Sequence, residues 1–283
     1  MVLESILNPL KAEKKPLEMF VLGLVYSSIA IFLSLWIFGD QASLIAVFLT
    51  VMACIPIVYN TMKLEEGKDL EILREGSLLK EHNKALIFLM LLFIGITVSS
   101  VFWYVVLPAN TTSILFERQS QTIANINNNI SGNMVQQFGI FSKILFNNVR
   151  VLAFAVLFAF VYGAGAIFIL TWNATVIGTA MGNFISTNIS KYAGAAGLGK
   201  VGAYFQVVSL SVLRYSIHGI REILAYFYGG LAGGIISVAI IKHHYESEKF
   251  SHIMHDASDL LLIAIGFLVI AALLEVFVTP ILF

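Results

Sequence analysis

The sequence predicts an all-α fold: a polytopic transmembrane helical bundle of about six spans plus two short re-entrant or interfacial segments. Three observations carry this. Of 283 residues, 58% are hydrophobic and only 12% charged, against about a quarter charged in a soluble domain. Mean hydropathy is +0.87. Apolar runs of about 20 residues recur along the chain, the length at which a helix crosses the hydrocarbon core. Lys+Arg and Asp+Glu both number 17, and this balance argues against a nucleic-acid partner, which needs a basic surface. The single cysteine, Cys54, sits in an apolar run and builds neither a disulfide framework nor a zinc cluster. No cofactor is implied. The lipid bilayer is the one partner that composition names.

The elements follow in order. Residues 1–16 are short and mixed; Val2, Leu3, Ile6 and Leu10 suit one face of an interfacial helix, and the charges after Leu10 argue against a cleavable signal peptide. A first span is expected at 17–38, with Gly23, Ser27, Ala30 and Ser34 as a small-residue packing stripe. Gly39-Asp40-Gln41 is a tight turn, and a second helix follows at 42–62. Residues 63–84 are the most charged stretch, with Lys63, Lys68, Arg74, Lys80 and Lys84 among acidic residues. The positive-inside rule puts that linker, and the N-terminus with it, in the cytoplasm. It reads as a solvated helical linker that could also hold a protein partner.

A third span is expected at 85–107, ending in Trp103-Tyr104 at the interface. The Asn- and Gln-rich segment 109–146 then lies outside. Phe116, Ile123, Ile126, Ile130 and Met134 give it an amphipathic helical face, and it is a second place for a protein partner. The triplets at Asn110 and Asn129 match glycosylation acceptors but arise easily by chance in such a segment. A fourth span is expected at 147–171, opening with Asn147-Asn148. Asn148, Ala155, Ala159, Gly163 and Ala166 share one face of it. The apolar pieces 174–190 and 201–216 flank a glycine-rich link and are short, so they read as broken or re-entrant helices. The last spans fall at 217–241 and 258–281. The link between them carries His243, His244, His252 and His255 among lysines and glutamates and reads as a solvated loop. Its side of the membrane depends on whether 201–216 crosses.

Arg214, His218, Arg221 and Glu222 fall within nine positions at the mouth of the 223–241 apolar run. Ionisable groups at such a depth are costly unless paired or wetted, which makes them a site hypothesis. His218 and Glu222 are four apart and share a helical face, continued by Ala225, Gly229, Ala232 and Gly233. Arg221 points elsewhere, and Glu275 in the last span is a candidate partner for an arginine. A metal is not expected: the cluster has one histidine, and zinc takes three or four strong ligands. An intramembrane hydrolase lacks support, since neither His-Glu-x-x-His nor Gly-x-Ser-x-Gly is present. A transporter could use the His218–Glu222 pair. A polar joint fixing helix geometry needs no further machinery. Pairs such as Gly229/Gly233 serve helix packing or a homo-oligomer equally.

The order Phe146-Asn147-Asn148, Asn173-Ala174-Thr175-Val176-Ile177-Gly178, His218-Gly219-Ile220-Arg221-Glu222 and Gly229 to Gly234 resembles the stage II sporulation protein M family over about 85–282. Two positions depart from that family's pattern: Ala174 stands in place of a glycine and Ile217 in place of a proline. The resemblance implies a prokaryotic, multi-pass plasma-membrane protein acting as a non-enzymatic scaffold. It divides the chain into an N-terminal helical hairpin with its linker, 1–84, and a membrane domain, 85–283, that includes the 109–146 segment.

Overall fold

The computed structural model describes residues 16–71, 75–127, 134–162, 165–191, 197–241 and 250–282. The expected interfacial helix at 1–16, apart from Pro16, together with Gly163, the Asn129 triplet, and His243 and His244, lies outside the described residues.

The described chain is helical, as the apolar runs require: a backbone in hydrocarbon satisfies its own hydrogen bonds only as helix or closed barrel. Helix α1 is Pro16–Phe38 and α2 is Ala42–Glu71. A 3-10 turn at Gly39–Gln41 joins them, with Gly39 at φ 49°. That left-handed backbone is one glycine adopts without a Cβ clash, and it lets the two helices fold back as a hairpin. Helix α3 is Glu75–Val106. Gly23 of α1 sits against the Leu92 carbonyl of α3, and Gly95 of α3 against the Phe20 carbonyl of α1. The two backbones meet where neither has a side chain, and the Gly23, Ser27, Ala30, Ser34 stripe is buried.

Two short helices follow, α4 (Ala109–Leu115) and α5 (Glu117–Asn127). They cap the turn end of the α1–α2 hairpin. Leu115 and Phe116 pack with Ile31, Ala42 and Ala46, and Ser43 donates to Gln119 Oε1 at 2.9 Å. Ser27, Ser43, Thr50, Ser100, Gln119 and Thr175 are among the residues lining a small cavity there of about 10 Å³, room for one water.

Helix α6 is Met134–Tyr162, α7 is Ala166–Ser190, α8 is Gly197–Ile241 and α9 is Phe250–Leu273. A π turn at Leu274–Val278 and the short α10 (Thr279–Leu282) complete the chain. Helix α8 is the central element, packed against α6, α7 and α9, with Ile223, Leu231, Ala232, Ile235 and Ala239 almost wholly buried.

Among the described residues, six stretches are long and apolar enough to cross a membrane: Leu17–Glu65, His82–Val106, Gln137–Val161, Ala166–Ile189, Val201–Ile241 and Phe250–Leu282. The first of them is the α1–α2 hairpin. The segments are divided differently from the sequence expectation. The 147–171 span is cut at Gly165, whose neighbourhood admits no Cβ because the Phe158 carbonyl occupies that space. Residues 134–146 therefore extend α6 rather than lying flat, and 174–190 is the second part of the full-length helix α7. Likewise 201–216 is no separate re-entrant piece. Ile217 donates into the helical ladder where a proline would not, so 201–241 runs as one helix. At 45 residues α8 is about 67 Å long at 1.5 Å per residue, longer than a hydrocarbon core of about 30 Å.

Candidate functional site

Where α6, α8 and the π turn converge, three of the expected residues meet. Asn148, 6% exposed, donates from Nδ2 to Glu222 Oε1 at 2.6 Å. Its position on α6 follows from the small-residue stripe it heads, because Ala155 and Ala159 below it are fully buried. Glu222 is placed by the α8 stripe. A Cβ on Gly233 would lie 2.5 Å from the Val156 carbonyl oxygen, and one on Gly229 would overlap Leu152. The helices thus touch along glycine, and the polar pair sits just beyond that crossing. Glu275, within the π turn, lies in electrostatic range of Glu222. Buried Tyr226 is within electrostatic range of both. Single π turns recur at functional positions in helices.

The remaining expected residues are dispersed. His218 is half-buried, near the Arg214 charge one turn before it. Among the described residues its Nδ1 atom is buried without a hydrogen-bond partner. Arg214 lies over the Phe184 ring, 5.7 Å from its centroid, a cation–π contact to α7. Arg221 donates from Nη1 to the Ile217 carbonyl of its own helix. It forms no ion pair with Glu275 among the described residues; the acid of that helix within electrostatic range of Glu275 is Glu222 instead. The cause is rotational: Arg221 is one residue, about 100°, around the helix from Glu222. Asn147 is exposed. Asn173 donates to the Ile169 carbonyl at 2.8 Å, within α7.

A second polar cluster was not legible as a site. At the end of the bundle where α2 stops and α3 begins, His82 Nδ1 lies 2.7 Å from Glu65 Oε2 and His82 Nε2 lies 3.0 Å from Asp256 Oδ2. Side-chain exposure is 0% for Glu65 and His82 and 7% for Asp256. The 63–84 linker and the 242–257 link are therefore not solvated throughout, although His252 and His255 are exposed. A signal was present. Val58, Thr61, Met62 and Glu65 share one helical stripe, as do His82, Leu86 and Leu89, and Ile253, Asp256 and Leu260. Each charged residue continues a buried face. Both ring nitrogens of His82 lie against carboxylate oxygens.

Apolar helices of spanning length, stacked through glycine contacts with ionisable groups turned inward, define a multi-pass helical membrane protein. Residues 84–280 match the family model described as Stage II sporulation protein M, and the chain belongs to that family. No curated protein and no solved structure matches it. The match takes in Asn148, His218, Glu222, Glu275 and Asp256; Glu65 and His82 precede it.

Proposed function

We propose that the chain is a non-enzymatic, membrane-organising scaffold of the plasma membrane, with the N-terminus and the α2–α3 linker on the cytoplasmic side. The supporting observation is the use made of Asn148 and Glu222. Their hydrogen bond joins two helices at a glycine crossing, the work of a joint that holds bundle geometry. A scaffold needs such geometry to present fixed surfaces, here the linker end and the α4–α5 cap, to protein partners. The test is Glu222→Ala and Asn148→Ala in the full chain, each of which removes one side of the hydrogen bond. Under the scaffold reading both variants lose thermal stability in detergent, and reconstituted wild type moves no protons or small cations across a vesicle membrane.

A transporter or permease component is the second reading. What favours it is the pair of acids within electrostatic range of each other, Glu222 and Glu275, with the His218 Nδ1 that has no hydrogen-bond partner among the described residues one turn away. Ionisable groups inside a bundle mark ion and proton paths in many membrane proteins. Proteoliposomes with a trapped pH dye separate the readings. Flux through wild type that Glu222→Gln abolishes, with folding intact, would sink the scaffold.

A further inference from the structure

We infer that Glu65, His82 and Asp256 form a proton-binding site that latches the last long helix to the N-terminal hairpin. The argument begins with donor counting. An ionised carboxylate only accepts hydrogen bonds, and a neutral imidazole carries one N–H. The ring touches a carboxylate oxygen at each nitrogen, at 2.7 and 3.0 Å. Two hydrogen bonds therefore require one proton beyond those of a neutral ring between two carboxylates. It resides on the ring, giving an imidazolium, or on one carboxyl, and in either placement it belongs to the three groups together. Without it, one nitrogen lone pair meets a carboxylate lone pair in a buried site, and the contact becomes repulsive.

Burial sharpens the effect, because water is not there to screen or replace the lost bond. Among the described residues, charged and titratable groups on the packed helices include Glu18 of α1, Lys63 of α2, Lys84 of α3, and His252, His255 and Asp259 of α9. The first five are exposed and Asp259 is half-buried. From α8, half-buried Tyr228 donates to Asn83 Oδ1 at 2.9 Å beside the site. The site joins residues 174 positions apart in sequence, and it bridges the family-matched region to the hairpin that precedes it. Raising the pH removes the proton and loosens α9 from α2 and α3.

Asp256→Asn supplies the test. An asparagine amide donates to a neutral His82 Nε2 while Nδ1–H still serves Glu65, so the variant satisfies both contacts without the additional proton. Purified full chain is melted in detergent at about pH 6 and about pH 9, either side of an ordinary histidine pKa. Wild type is expected to lose at least about 2–4 °C of melting midpoint at the higher pH, and Asp256→Asn to lose measurably less. Parallel profiles in the two proteins overturn the proposal. If Asp256→Asn does not fold, ring-nitrogen NMR and carboxyl infrared spectra of wild type at about pH 6 decide instead. A doubly protonated His82 or one protonated carboxyl in the site supports the proposal, and the absence of both overturns it.

Discussion

Asn148 is the residue on which the inward cluster depends. Glu222 has its amide as a donor from another helix, and a partly buried acid deprived of its partner is costly. Asn148→Ala should therefore destabilise the chain by about 1–3 kcal/mol, read as a lowered melting midpoint or denaturation midpoint in detergent. Tyr228→Phe removes one hydrogen bond to the exposed Asn83 and should cost less, about 0.5–1.5 kcal/mol. An Asn148 effect no larger than that of Tyr228 would show that Glu222 finds another donor. The sequence placed Asn148 and Glu222 on inward faces through the spacing of small residues. It did not reveal the π turn that holds Glu275, because a single widened turn leaves no periodic mark in an apolar run.

Among the elements, α8 is held by glycine rather than by large side chains. Gly229 and Gly233 abut Leu152 and Val156 of α6, and Gly230 lies against Ala166 of α7, where a Cβ would come within 2.8 Å. Gly233→Val should force α6 and α8 apart at a cost of about 1–3 kcal/mol. Gly219, in the same helix, meets no atom within 4 Å of its Cβ position. Gly219→Ala should accordingly fold well and gain about 0.5–1 kcal/mol from helix propensity. Thermal melts of the two variants side by side check both statements, and equal losses would contradict the packing. The interruption at Gly165 and the continuity through Ile217 are element-scale outcomes as well. Hydropathy alone does not distinguish one long helix from two short ones, because backbone breaks and joins are decided by single residues and their neighbours.

For the whole molecule, the Glu65–His82–Asp256 contacts fix which loops share an end. The start of α9 lies beside the end of α2 and the start of α3, so Ser251 and Lys63 face the same side, while Gln121 on the α5 cap faces the other. Cysteines introduced singly at Ser251, Lys63 and Gln121 should behave accordingly towards an impermeant thiol reagent on intact cells. The first two should respond alike and the third oppositely. The native Cys54 is fully buried and should stay silent. Matching reactivity at all three positions would contradict this arrangement.

Composition and the length of the apolar runs determined by themselves that the chain is an all-helical, multi-pass membrane protein, since hydrocarbon leaves the backbone few other options. Residue order determined the family and the inward faces, because small residues at helical spacing have one physical use in lipid. Only the tertiary structure decided where helices break, which acids meet, and that a histidine in a charged linker is buried between two carboxylates. These are long-range encounters. Glu65, His82 and Asp256 each read locally as a charge at a helix end, and the site exists only because the bundle brings three such ends together.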